Sequence, residues 1–255
     1  MDFTSRCTGI VTQTELLTTG VKGADLRGRV PSCPDWTLGM LLRHIGGGHR
    51  WAGETVRTRA TGFLPDDQLR KLDGDDSGEV PVDWLLEGAH RFADTLLAAG
   101  PDRKVWTPLE LHGTTSFWAR RFANETLIHR ADATLAAGTE FAVAEEVALD
   151  AVDEWMELDA LPQHFEYNPK KRDLLGPGRS LSFEATDADA AWFVDLTGDV
   201  IVSSRAHEKA AVTVRASLTD LLLAIYLRKS VHSDGIEISG DKDLLEFWLG
   251  YIGFG

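Results

Sequence analysis

The sequence predicts an all-helical N-terminal part followed by a small α+β C-terminal part. Three features predict it. From Asp2 to Leu161 apolar side chains recur at helical steps of three and four. Between Pro162 and Gly178 the pattern breaks, at Asn168-Pro169-Lys170-Lys171-Arg172 and Gly176-Pro177-Gly178. Beyond the break the period changes to two, as half-buried strands require. The expected divisions are 1–165 for the helical part, 166–177 for a linker and 178–255 for the α+β part.

The elements follow in order. Asp2 to Lys22 reads as a helix with Ile10, Val11, Thr14, Leu17 and Val21 on one face. Pro31 and Pro34 forbid a helix over 30–37 and fix an irregular segment, after which Asp35 or Thr37 caps the next helix. That second helix carries Leu38 to Ile45, then Gly46-Gly47-Gly48, then His49-Arg50-Trp51. Each glycine costs a helix about 1 kcal/mol against Ala, so the run implies close approach of another helix or a ligand. Gly62 to Val80 reads as a surface loop, and a third helix runs from about Val82 to Ala98, stopping at Gly100-Pro101. A fourth helix starts near a Thr114 or Thr115 cap and ends at Ala137-Gly138.

A fifth helix spans Val143 to Leu161. Its acids Glu145, Glu146, Asp150, Asp153, Glu154 and Glu157 read as a solvated face, opposite Ala144, Val147, Ala151 and Trp155. Past the linker, strands are expected at 181–186, 191–196, 200–202 and 211–215, with a tight hairpin turn at Thr197-Gly198-Asp199. A helix over Leu218–Lys229, a strand at 236–238 and a last helix from Asp241 to Tyr251 complete the chain.

Composition excludes several function classes. With 255 residues, 43% hydrophobic and 26% charged, the chain has the make-up of a globular protein of one or two domains. No apolar run reaches the roughly 18–20 residues of a membrane span. The N-terminal residues lack the basic-then-apolar order of a signal peptide, so a cytoplasmic location is the expectation. A formal charge of −14 and the lack of a basic stripe argue against nucleic acid. Two cysteines, Cys7 and Cys33, make no disulfide framework and read as reduced thiols. Gly46, Gly48 and Gly53 are not a dinucleotide fingerprint, since no strand is expected before them. No G-x-S-x-G nucleophile elbow is present.

The chemistry concentrates on the fourth helix. Trp118, Phe122, Glu125, His129 and Asp132 fall on one face, aromatic at its start and polar at its end. Glu125 and His129 stand one turn apart, about 6 Å along the axis. They can grip a divalent metal such as zinc, with Asp132 taking the free ring N–H of His129. The same spacing also suits a surface i,i+4 pair. His44 projects from the apolar stripe of the second helix and reads either as a buried structural histidine or as a further ligand. His49 lies about 140° round that helix from His44 and is a poor co-ligand. His90 and His112 read as solvated.

Val30-Pro31-Ser32-Cys33-Pro34-Asp35-Trp36-Thr37, Leu41-Leu42-Arg43-His44-Ile45-Gly46-Gly47, Trp118-Ala119-Arg120-Arg121 and Glu125-Thr126-Leu127-Ile128-His129-Arg130-Ala131-Asp132 together resemble the mycothiol-dependent maleylpyruvate isomerase family. So do Ser217-Leu218-Thr219-Asp220-Leu221-Leu222-Leu223 and Ile238-Ser239-Gly240-Asp241. The resemblance implies a DinB-like four-helix bundle followed by a small α+β domain of sterol-carrier-like type. It implies a divalent metal, usually zinc, held by His44, Glu125 and His129 with one position open. It further implies mycothiol as thiol cofactor or co-substrate and a small electrophilic substrate. Isomerase and S-transferase outcomes both fit, and Arg228 matches the family's substrate-binding arginine, although Tyr226-Leu227-Arg228-Lys229 departs from the expected Trp-Gly-Arg pattern. A non-catalytic metal-binding module and a zinc-water hydrolase are the alternative readings. No nucleic-acid or membrane partner is implied, and the chain is expected as a monomer or homodimer. Cys33 as a fourth ligand or redox thiol is a minor reading beside a small residue in a proline-fixed turn.

Overall fold

A computed structural model describes residues 1–65, 80–108 and 113–252. The chain divides into two compact units, Met1–Phe141 and Ala142–Gly255. The first unit contains α1 (Phe3–Gly20), β1 (Arg29–Val30), β2 (Cys33–Thr37), α2 (Leu38–Thr58), α3 (Val82–Ala99) and α4 (Thr115–Ala137). The second contains α5 (Glu145–Asp159), α6 (His164–Tyr167), a 3₁₀ helix (Pro169–Leu174), β3 (Ser180–Ala185), β4 (Ala191–Asp195), β5 (Val202–Arg205), β6 (Val212–Ala216), α7 (Leu218–Ile225), β7 (Glu237–Gly240) and α8 (Lys242–Leu249).

In the helical unit α1 packs on α4 and α2 on α3. The Asp2 carboxylate caps α1 by accepting from the Ser5 amide, and the Thr37 hydroxyl caps α2 by accepting from the Met40 amide. One apolar cluster joins Ile10, Trp51, Phe92, Trp118 and Phe122, and a second joins Leu17, Leu38, Leu41, Ile45 and Leu85. The glycine run of α2 is explained by approach of its neighbours. A Cβ on Gly46 would lie 2.1 Å from Cζ3 of Trp84, and one on Gly48 would lie 3.2 Å from Cε1 of Phe122. Arg50 fixes the Trp84 ring by lying 4.1 Å over it and donating to the Trp84 carbonyl. Among the described residues no helix is long and apolar enough to cross a membrane.

The second unit is built on a mixed five-stranded sheet of order β5-β4-β3-β6-β7. β3 pairs parallel with β6, and the other neighbours are antiparallel. Trp155 of α5, Phe183 of β3 and Trp248 of α8 meet edge to face or tilted and are fully or nearly fully buried.

Several expectations need correction. The boundary falls at Phe141/Ala142 and not after residue 165, because α5 packs on α7 and ties itself to the sheet unit. Residues 166–177 are not a free linker. The 3₁₀ helix is anchored there by Lys171, which is buried and donates to the Asp159 carboxylate. The acids of α5 are not all solvated. Asp150 and Glu154 are each 4% exposed, and Asp153 accepts from the Trp192 indole and Arg205.

Within the 30–37 stretch, β2 pairs antiparallel with β1 as a short hairpin. Pro34 is tolerated because an edge strand needs no amide on its solvent side. A strand thus does precede α2, but as a hairpin arm, and the glycines lie inside the helix and not in a phosphate-binding turn. The link from β4 to β5 covers residues 196–201 and is wider than a tight turn. α7 ends at Ile225, and Leu227 takes φ +61°, so Arg228 lies beyond the helix. Most of the expected 62–80 loop, and His112, lie outside the described residues.

Overpacking a tight contact costs about 1–3 kcal/mol, and Ala in a helix returns about 1 kcal/mol over Gly. Gly46→Ala is therefore expected to lower stability by about 1 kcal/mol in urea melts. In a Trp84→Ala background the same substitution should become neutral or stabilising.

Candidate metal centre

The centre is built mainly on α4, whose residues from Phe117 to Thr134 are largely buried. Trp118 and Phe122 anchor that helix in the aromatic cluster, which fixes the face that carries Glu125, His129 and Asp132. α2 brings His44 to the same place.

His129 Nε2 lies 3.0 Å from Glu125 Oε1, and His44 Nε2 lies 3.9 Å from the same oxygen. One ligand atom from each of the three residues falls within 4.8 Å of the others. The His44 and His129 rings meet edge to face with centroids 5.1 Å apart. Two atoms each about 2.0–2.1 Å from a tetrahedral zinc stand roughly 3.3 Å apart, so this spacing suits a single cation after small side-chain adjustments. His₂Glu is a zinc-type donor set, and three protein ligands leave a position open.

The surroundings orient each ligand. His129 Nδ1 donates to Asp132 Oδ2 at 2.9 Å, which leaves Nε2 facing Glu125 and His44. Asp132 is fully buried, and its other oxygen accepts from the Ser32 hydroxyl of the β1–β2 hairpin at 2.5 Å. Arg121 Nη2 lies 3.3 Å from Glu125 Oε2, so the second carboxylate oxygen points away from the histidines. Trp36 meets the His44 ring edge to face with centroids 4.9 Å apart.

The metal-free charges follow from these contacts. Burial alone would depress the His129 pKa, but hydrogen bonds to Asp132 and Glu125 prevail and raise it to about 9. Burial likewise works to raise Glu125, yet His129, His44 and Arg121 hold it well below the usual carboxylate range. Metal-free His129 is thus an imidazolium between two carboxylates at neutral pH.

A cavity of about 190 Å³ opens beside the triad, with His44 and Glu125 on its lining. Its apolar walls are Ile45, Trp51, Pro108, Trp118 and Phe122.

The sequence spacing had singled out Glu125, His129 and Asp132, and the structure brings all three together with His44. His49 stays out of the cluster, as expected, and its Nε2 instead meets the Thr126 hydroxyl at 2.9 Å. His90 is exposed. Neither Cys7 nor Cys33 forms a disulfide, and Cys33 is not in the candidate ligand cluster. Burial pushes the Cys7 thiol up to about 12, which makes it inert at neutral pH. Arg228, in the second unit, donates to the Tyr226 carbonyl at 2.7 Å. Ser32 was missed because it is remote in sequence from the residue it serves. Arg121 had a legible signal, an Arg one helical turn before a Glu.

Comparison with known proteins identifies the family of the chain. A model of the mycothiol maleylpyruvate isomerase N-terminal domain matches residues 8–134, and a model of the MDMPI C-terminal domain matches 146–247. The chain belongs to the mycothiol maleylpyruvate isomerase family. The crystal structure of the mycothiol-dependent maleylpyruvate isomerase is similar at TM-score 0.61 and 16% identity, over 94% of this chain and 93% of that one. A mutant of a mycothiol-dependent maleylpyruvate isomerase is similar at TM-score 0.60 and 14% identity, over the same shares. Likeness at that identity establishes a shared fold. No curated protein matches the chain in sequence. The homology is to an enzyme, and His44, Glu125 and His129 all fall within the N-terminal match of the maleylpyruvate isomerase family.

The raised His129 pKa carries a sign for stability. Its stabilising contribution in the metal-free protein is complete below about pH 6.5 and is lost as pH rises through about 9. Glu125 contributes in the opposite sense, and its share is lost on acidification below its ordinary range. In chelator-treated samples the melting temperature of wild type should exceed that of His129→Gln most near about pH 6, and the gap should close above about pH 9.

Proposed function

We propose that the chain is a divalent-metal- and mycothiol-dependent enzyme acting on a small electrophilic metabolite. It works as a maleylpyruvate isomerase-like isomerase or as a mycothiol S-transferase. The observation that carries this reading is the convergence of His44, Glu125 and His129 in a chain of this family. Those three residues hold the metal, with zinc as the expected ion. When bound, the metal would lower the pKa of a coordinated thiol and so supply a thiolate nucleophile near neutral pH for an electrophilic carbon.

The chain's own groups set the stage for that chemistry. Asp132 keeps the Nδ1 proton of His129 and so presents Nε2 as the ligand atom. Ser32 holds Asp132 in turn. Arg121 draws off one oxygen of Glu125, which favours a single ligating oxygen. The aromatic walls of the cavity limit water beside the open position. Arg228, assigned on the resemblance, is the guanidinium for a substrate carboxylate.

The full chain purified without chelators is expected to carry about one zinc per chain. His44→Ala and His129→Ala should lose the metal and keep the helical circular dichroism. Asp132→Asn should weaken metal binding about 10–100-fold. Calorimetry should detect mycothiol binding to the metal-loaded protein and not to the chelated one. A loaded protein without thiol affinity would instead be a non-catalytic metal module, and turnover without thiol would mark a hydrolase. Arg228→Ala is expected to raise KM roughly tenfold or more with a smaller change in kcat. An unchanged KM would remove Arg228 from the site.

A further inference from the structure

Arg121 stands where the aromatic part of α4 gives way to its polar part. It follows Trp118 by three residues and precedes Glu125 by four, so it lies on the same side of the helix, one turn before the candidate ligands. Its side chain is 17% exposed and lines the cavity beside the triad. It touches Glu125 once, from Nη2 to Oε2 at 3.3 Å. A guanidinium has five N–H donors and answers a carboxylate best with two parallel bonds. One contact of that length from one nitrogen does not use up its charge or its donors.

The rest of the described lining has little to offer an anion. The Trp51 indole N–H donates to the Leu64 carbonyl at 3.0 Å, and the Trp118 indole N–H donates to the Trp106 carbonyl at 2.8 Å. The Thr126 hydroxyl donates to the Phe122 carbonyl at 2.7 Å. Apart from the imidazoles, Arg121 is the one basic side chain of that lining. A carboxylate that leaves water for apolar walls is costly unless it is paired, so an acid entering this cavity is driven to the guanidinium. The place is also close to the candidate ligand atoms. Glu125 Oε2 faces Arg121 while Oε1 faces His129 and His44, so the width of one carboxylate separates the guanidinium from the histidine nitrogens. A small acid held by Arg121 keeps the carbons next to its carboxylate at that edge.

We propose that Arg121 is the carboxylate-binding residue of this cavity and selects electrophiles whose reactive carbon lies next to a carboxylate. The inference rests on the proposed function for the reaction that follows binding. The anion site itself follows from the lining of the helical unit alone, whereas Arg228 is assigned on the resemblance.

The test is calorimetry on the full chain, chelated and in saturating zinc, with succinate as an anion that thiols do not attack and dimethyl succinate as its neutral counterpart. Zinc content and mycothiol binding are measured on the same samples. Succinate should bind wild type more tightly than the diester. Arg121→Gln should weaken succinate roughly tenfold or more and leave the diester unchanged. Arg121→Met, which fills similar space without polar atoms, carries the same test if the Gln variant does not fold. A residue that served only to hold Glu125 would shift both probes alike, and that result overturns the inference. Succinate binding that needs zinc and is indifferent to Arg121 places the anion on the metal and overturns it too. Arg121-dependent succinate binding in a chain that takes up neither zinc nor mycothiol would overturn the proposed function and leave the anion site standing. Zinc and mycothiol binding with no preference for succinate over the diester would do the reverse.

Discussion

The hydrogen-bonded line Ser32–Asp132–His129–Glu125 is the constraint on which the geometry of the candidate metal centre depends. Asp132 is fully buried, and a buried carboxylate is costly unless its charge is answered. The answer is a hydroxyl from the hairpin on one side and an imidazole on the other. That arrangement fixes the His129 ring, and the ring direction then decides where its second nitrogen points. The Thr37 cap starts α2 seven residues before His44, and His44 Nε2 comes to 3.9 Å from Glu125 Oε1.

Helix approach makes the convergence possible. α2 comes close to its neighbours because Gly46 and Gly48 offer no side chain at the contacts with Trp84 and Phe122. Glycine weakens a helix by itself, so the run is stable only within the packed bundle. The candidate ligands thus sit on two elements held by a core, and their convergence is set by packing on rigid helices and not by loops. The same packing leaves the aromatic cavity beside the triad. On α4 the change from Trp118 and Phe122 to Glu125 and His129 marks the passage from cavity wall to candidate ligands, with Asp132 behind His129.

Much of the fold was legible because local rules dominate it. The start of α2 was legible as Asp35 or Thr37, of which Thr37 is the cap, and the stops at Gly100 and Gly138 were legible because glycine torsions act within one turn. The misreadings share one cause. Lys170-Lys171-Arg172 looked like linker because nothing local shows that Lys171 is buried against Asp159. Asp150 and Glu154 looked solvated because charge predicts exposure unless tertiary partners intervene. The 30–37 stretch reads as irregular because hairpin pairing is set across strands and prolines mask it.

The sequence by itself determined the helical periodicities, the change of period that marks the sheet unit, and the Glu125–His129–Asp132 spacing. Each of these is a relation within a few turns of one chain segment. Only the tertiary structure decided that His44 meets that face, that Ser32 supports Asp132, that α5 belongs with the sheet, and that Arg228 lies past a left-handed turn at Leu227. Those facts depend on contacts between residues far apart in sequence, and such contacts are set by how whole faces pack, which no local pattern encodes.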